Sequence, residues 1–274
     1  KNFKNIKQIA LAKAEIINNI KSGGSLVLNA DDQFYNFHKK IALKKKLEIY
    51  SFSIKQKKSN IKLHSICKQK NKYKVFVQVE KKKLYFYTSS NFKNNIKNLL
   101  AAISVIGIFK KIDKLDKNIF YNFQTPKGRG DISRVKIYKK NIYLIDESYN
   151  SNPLSLSSAI KNFDMINVKN SKKHLILGDM LELGRHSKKL HSGFSTMINK
   201  TSIDSVNVMG KYMSKIYRKI SKNKKGLILK KNSEIIDLIK KRINNNDYLM
   251  IKGSNSTGLN KLASALKIGK INAL

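Results

Sequence analysis

The sequence predicts an α/β protein in two units, the second of them a doubly wound, largely parallel sheet. Three observations carry that prediction. After residue 129 short apolar runs alternate repeatedly with helical-period segments, as strand–helix units of a sheet covered on both faces do. Thr125-Pro126-Lys127-Gly128-Arg129-Gly130 combines Pro and Gly, and the pattern restarts after it, so a boundary is expected near Gly128. Before it, one helix and one strand–turn–helix lead into residues that alternate apolar and polar, the period of exposed antiparallel strands. The chain of 274 residues is long enough for two ordinary domains, read as 1–128 and 129–274.

In the first unit, residues 5–20 read as a helix with Ile6, Ile9, Ala10, Lys13, Ile16, Ile17 and Ile20 near one face and Gly23-Gly24 as its stop. Lys13 lies on or beside that stripe, where residue statistics favour a side chain that covers apolar surface and extends its ammonium to water. Residues 25–28 form a short buried strand ending in Asn29-Ala30-Asp31-Asp32, with Asp31 or Asp32 available to cap a helix over 33–45. A strand over 47–52 follows. Residues 61–88 read as a hairpin or meander turning at 80–83, and a helix over 94–111 carries Asn94, Asn95 and Asn98 in its first turn.

In the second unit the strand at 141–145 ends in Asp146-Glu147-Ser148-Tyr149-Asn150-Ser151-Asn152-Pro153. Asn152 suits the N-cap and Pro153 the first turn of a helix over 154–165. Strands at 174–177, 205–209, 227–229 and 248–251 pair with helices at 190–198, 213–220, 235–243 and 259–266. Right-handed crossovers bring every strand-to-helix turn to one edge of such a sheet, outside the carboxyl ends of the strands, where ligands bind. From the residues alone this is a Rossmann-like domain with an acidic, Asn-rich edge.

Composition narrows the function classes. The formal net charge is +40, from 57 basic and 17 acidic residues, which in isolation suggests an anionic partner. The arginines are confined to Arg129, Arg134, Arg185, Arg218 and Arg242, whereas Lys, Asn and Ile run throughout, so we read a drift in composition and expect no nucleic-acid partner. Cys67 stands alone, which excludes a disulfide framework within the chain. No apolar run approaches the roughly 20 residues of a membrane span. The expectation is a cytoplasmic, monomeric protein. Neither a Gly-x-x-x-x-Gly-Lys-Ser/Thr phosphate loop nor a Gly-x-Gly-x-x-Gly turn occurs, and no His pairs with Cys or His at zinc spacing. The chain starts at Lys1 directly in a helical pattern, from which an N-terminally truncated fragment is expected.

Several motifs, in order, resemble the Mur ligases: Ala12-Lys13-Ala14-Glu15-Ile16, Asn29-Ala30-Asp31-Asp32, Gly128-Arg129, Asp146 to Pro153, Leu177-Gly-Asp-Met-Leu-Glu-Leu-Gly184 with His191 downstream, and Lys252-Gly253-Ser254. The resemblance spans nearly the whole chain and is strongest to the branch that adds a dipeptide. It implies residues 1–128 as the second half of a central ATPase domain and 129–274 as the C-terminal ligase domain, with the phosphate loop upstream and no activity from residues 1–274 alone. The implied reaction uses ATP and Mg2+ to join D-alanyl-D-alanine to UDP-N-acetylmuramoyl-tripeptide through an acyl phosphate, a step of peptidoglycan precursor synthesis.

The same resemblance implies roles. Lys13 is the carbamylated lysine that ligates Mg2+. Asn95 and Asn98 hold adenine, and Asn94 stands where the family usually has His. Arg129 contacts the nucleotide at the domain junction, and Glu147 binds the ribose hydroxyls. Asn150 and Asn152 line the phosphate or acyl end. Asp179, Lys252, Ser254 and Ser256 meet the peptide substrates, with Asn255 where Arg often follows Ser254. The competing readings are another Mur-type or folylpolyglutamate synthase-like ligase, and a basic module that binds nucleic acid.

Overall fold

A computed structural model describes residues 5–55, 58–122 and 126–269. They fall in two compact units, residues 2–123 and 124–274. The division lies a few residues before the expected boundary at Gly128; Thr125, part of that linker motif, lies outside the described residues.

The first unit runs α1 (Ile6–Asn18), β1 (Ser25–Asn29), α2 (Tyr35–Lys44), β2 (Glu48–Ser53), β3 (Ile61–Gln69), β4 (Lys72–Val79), β5 (Lys82–Thr88) and α3 (Lys93–Phe109). The sheet order is β1-β2-β3-β4-β5; the first three strands are parallel and the last three form an antiparallel meander. Phe52, Ile61, Val75, Val77 and Phe86 pack against Ile96, Leu99, Leu100 and Ile103 of α3.

Three expectations change here. The apolar stripe of α1 is narrower than read: Ala10, Ala14 and Ile17 are buried, while Ile6 and Ile16 are 59% and 65% exposed and Lys13 is exposed. Strand β1 is half-buried rather than buried. Neither Asp31 nor Asp32 caps α2. Asp31 accepts from Ser53 Oγ and from the Ile54 N–H, each at 2.7 Å, and so clamps the end of β1 to the end of β2. Asp32 accepts from the Phe34 N–H at 2.8 Å, an Asx turn ahead of the helix.

The second unit runs β6 (Asp131–Ile137), β7 (Lys140–Asp146), α4 (Pro153–Asp164), β8 (Lys173–Gly178), α5 (Ser187–Ser192), α6 (Phe194–Asn199), β9 (Ser205–Met209), α7 (Lys211–Tyr217), β10 (Lys225–Leu229), α8 (Asn232–Arg242), β11 (Tyr248–Lys252) and α9 (Leu259–Lys267). The order is β10-β9-β8-β11-β7-β6, all parallel except β6. Alternate side chains explain the unbroken apolar strands. Ile145, Leu175, Leu177, Val206 and Met250 pack under α4, α6 and α7, while Leu144, Ile176, Leu249 and Ile251 pack under α8 and α9.

Strand β6 was missed. It is an antiparallel edge strand with Val135 and Ile137 inward and Ile132 exposed, a period-two signal too short to stand out. The helix expected over 190–198 is two short helices that meet at Gly193. The start of α4 is as read: Asn152 is the N-cap in a reciprocal capping box with Ser155, and Pro153 opens the helix.

Strand β11, last in sequence, is inserted between β7 and β8. The helix after β7 and those after β8 go to one face of the sheet, the helix after β11 to the other, so the turns diverge at the carboxyl ends of these neighbouring strands. That divergence opens the crevice of a doubly wound sheet. The ends are level: Asp146 pairs with Ile251, Lys252 with Leu177, and Gly178 with Met209.

Candidate active site

The two adjacent acids of the β7 turn do different work. Asp146 is buried and points inward: Oδ1 accepts from the Ser148 N–H at 3.0 Å and from Ser148 Oγ, and Oδ2 meets Lys267 Nζ at 2.6 Å. Glu147 lies on the outer side, and its Oε2 is 3.3 Å from Lys252 Nζ. Lys252 is 1% exposed, and its ammonium also donates to the Glu147 and Asn150 carbonyls at 3.3 and 3.1 Å. Burial pushes the Glu147 carboxyl above the usual carboxylate range, against the pull of Lys252. Burial likewise lowers Lys252, against the pull of Glu147. Desolvation therefore outweighs pairing on both partners.

Arg129 stands on the neighbouring loop. The Gly130 N–H donates to the Asp146 carbonyl at 2.7 Å and the Tyr149 N–H to the Gly128 carbonyl at 3.0 Å, so the two turns lie back to back. Gly128 has φ +75°, and a Cβ there would come within 3.0 Å of the Tyr149 backbone nitrogen, which only Gly accommodates. The Arg129 guanidinium sits 4.4 Å from the centroid of the half-exposed Tyr149 ring. The stack holds a planar cation at the surface, one residue before Gly130, where a Cβ would come within 2.9 Å of Glu147 Oε1. Asn150 is exposed, and its Oδ1 accepts from the Ser151 N–H at 2.7 Å. Asn152 is exposed too, but its Oδ1 is committed to the α4 cap.

Most residues expected to meet peptide substrates lace the turns together. Both Asp179 oxygens accept from the Tyr212 N–H, and Oδ1 also from the Met213 N–H, so the carboxylate sits on the N-terminus of α7, where the helix dipole favours it. The Ser254 N–H donates to the Asp179 carbonyl, its Oγ accepts from the Leu181 N–H at 2.8 Å and donates to the Ser151 carbonyl. Ser254 thus joins the turns after β7, β8 and β11. His191 accepts at Nε2 from the Met180 N–H and donates from Nδ1 to the Ser187 carbonyl, which fixes the loop after β8. Of that group Ser256, beside Asn255 on the short 3-10 turn Asn255–Thr257, is exposed.

Sequence reasoning missed Lys267, Asp131, Tyr149 and Ser151. The Ser151 hydroxyl is buried with no hydrogen-bond partner. A lysine near the end of a helix and an acid at the start of an unrecognised strand carry no local signal.

In the first unit Asn95 and Asn98 lie three residues apart on the opening turns of α3, with Asn98 exposed and Asn95 half-buried. That spacing puts both amides on one face of the helix. Lys13 is exposed on α1. Among the described residues no three His, Cys, Asp or Glu side chains cluster as a metal cage. No helix among them is long and apolar enough to cross a membrane.

Residues 1–106 match the Mur ligase middle domain, and residues 133–255 match the Mur ligase, glutamate ligase domain. The chain is 30% identical over 282 residues to a UDP-N-acetylmuramoyl-tripeptide–D-alanyl-D-alanine ligase of Buchnera aphidicola subsp. Acyrthosiphon pisum, covering 96% of this chain and 56% of that protein. It is 27% identical over 269 residues to the ligase of the same name from Rickettsia prowazekii, covering 95% of this chain and 57% of that protein. The crystal structure of MurF ligase from Thermotoga maritima in complex with ADP superposes with a TM-score of 0.78 at 18% identity, over 100% of this chain and 60% of that one, which shows a common fold. The chain spans little more than half the length of the curated relatives it matches. With both domain models matched in order and the fold shared along its length, the chain belongs to the Mur ligase family.

Proposed function

We propose that this chain carries the nucleotide-facing and ligase parts of an enzyme that joins D-alanyl-D-alanine to UDP-N-acetylmuramoyl-tripeptide at the expense of ATP. The observation that carries the reading is the back-to-back pair formed by the loop leading into β6 and the turn after β7, which carry the exposed, ring-stacked Arg129 and the half-buried Glu147. A carboxylate accepts from two adjacent ribose hydroxyls, and a guanidinium neutralises phosphate oxygens, so the two suit the two ends of a nucleotide. The raised affinity of Glu147 for a proton is countered when hydroxyls replace lost water around it. Asn95 and Asn98 present amides that both donate and accept, as an adenine edge requires.

The tripeptide carboxylate attacks the γ-phosphorus, ADP leaves, and the amine of D-alanyl-D-alanine displaces phosphate from the acyl phosphate. This chemistry is mostly positioning and charge neutralisation. Arg129 supplies a fixed cation, and the exposed Asn150 amide is the group of the β7 turn best disposed to orient the acyl end. Mg2+ keeps several waters and phosphate oxygens as ligands and needs few from protein. A carbamate on the exposed Lys13 would offer it one oxygen ligand.

The test is phosphate release by the protein that carries this chain. We expect release that needs ATP, UDP-N-acetylmuramoyl-tripeptide and D-alanyl-D-alanine together. Release with a single amino acid and a shorter acceptor would instead favour another Mur-type ligase. No release above background with all three would remove the proposal.

A further inference from the structure

We infer that Lys267, on the last turn of α9, is the positioning residue that sets Arg129 and Glu147 relative to one another. This rests on the nucleotide-facing role proposed above. Asp131 and Asp146 are direct cross-strand partners on antiparallel β6 and β7. Like charges in that position repel, and the Lys267 ammonium is what reconciles them, at 2.5 Å from Asp131 Oδ2 and 2.6 Å from Asp146 Oδ2. Each carboxylate gives its second oxygen to a turn. Asp131 Oδ1 accepts from the Gly128 N–H at 2.7 Å, which shapes the Arg129 loop. Asp146 Oδ1 accepts from the Ser148 N–H and Oγ, which shapes the Glu147 turn.

One cation therefore fixes both turns through the two carboxylates. The arrangement has two arms, so it can be dismantled one arm at a time. Asp131 is the outer arm, 19% exposed, and Asp146 the inner one, 4% exposed.

The inference is tested by amide hydrogen exchange joined to steady-state kinetics. In Lys267→Met, residues 126–131 and 146–151 should exchange at least tenfold faster, β8 and β9 unchanged, and KM for ATP should rise more than kcat falls. Lys267→Arg, which keeps the cation, should restore both readouts to within about threefold of the parent. Asp131→Asn, which leaves Lys267 paired with Asp146, should loosen residues 126–131 alone. Exchange that rises evenly through the unit, or an Arg variant no better than Met, would reduce Lys267 to a general stabiliser and overturn the inference. If Arg129→Ala and Glu147→Ala left KM for ATP unchanged while the exchange pattern held, the nucleotide role would fail and the bracing by Lys267 would stand.

Discussion

The six-stranded sheet carries a buried polar network at each edge, and the two are built to opposite ends. At the amino edge His174 bridges Ser205 Oγ at 2.8 Å and Asp247 at 3.0 Å. Asp247 also accepts from the Lys172 and Asn244 N–H groups, and Lys173 donates to Ser202 and the Asp164 carbonyl. Acceptors and donors there consume one another, and the result is a closed seam between strands. At the carboxyl edge Lys252 and Lys267 are equally committed, yet the network ends in groups that face outward: Glu147, Arg129 on Tyr149, and Asn150. A Ser–His–Asp row is therefore a weaker functional sign here than a half-buried acid whose burial is incompletely compensated.

The contrast can be broken in several ways. Asp247→Ala should have the largest effect, about 2–4 kcal/mol of stability by chemical denaturation, because it leaves the buried His174 without its carboxylate partner and takes the acceptor from the Lys172 and Asn244 N–H groups. Nucleotide affinity per folded molecule should not change. Glu147→Ala should do the reverse. It should raise KM for ATP at least tenfold and cost less stability, about 1–3 kcal/mol, since Lys252 keeps two carbonyl acceptors.

Asn152→Ala removes the capping box and should cost about 1 kcal/mol in thermal unfolding. The smallest effect is a pH dependence. Burial lowers the Lys267 pKa, but Asp131 and Asp146 outweigh it and raise the value above the ordinary 10.5. The stability lost in Lys267→Met should thus be constant below 10.5 and vanish as pH climbs through the raised folded value. A loss that grows with alkalinity would contradict the assigned direction.

Much of this was legible in the sequence. Unbroken apolar strands gave the parallel sheet because Ile145 and Leu144 face opposite cores. Asn152-Pro153 gave the start of α4, since capping is a local interaction. Two kinds of information were not legible. Edge strand β6 has only Val135 and Ile137 inward, too few for periodicity to separate it from a loop. Side-chain commitments were hidden as well: Asp179, Lys252 and Ser254 stand on the expected turns but spend their polar atoms on neighbouring backbone, and that depends on strands remote in sequence. The doublet Asp146-Glu147 reads as two equal acids, and lysines more than a hundred residues on separate them, Lys267 pairing with the buried one and Lys252 with the half-buried one.

The most direct measurement is an exchange footprint of the protein that carries this chain, with and without Mg2+ and ADP. The account predicts protection at residues 126–131, 146–152 and the opening turn of α3, and none at 172–174 or 244–247. Protection confined to that amino edge, or none at Arg129 and Glu147 under saturating nucleotide, would contradict it.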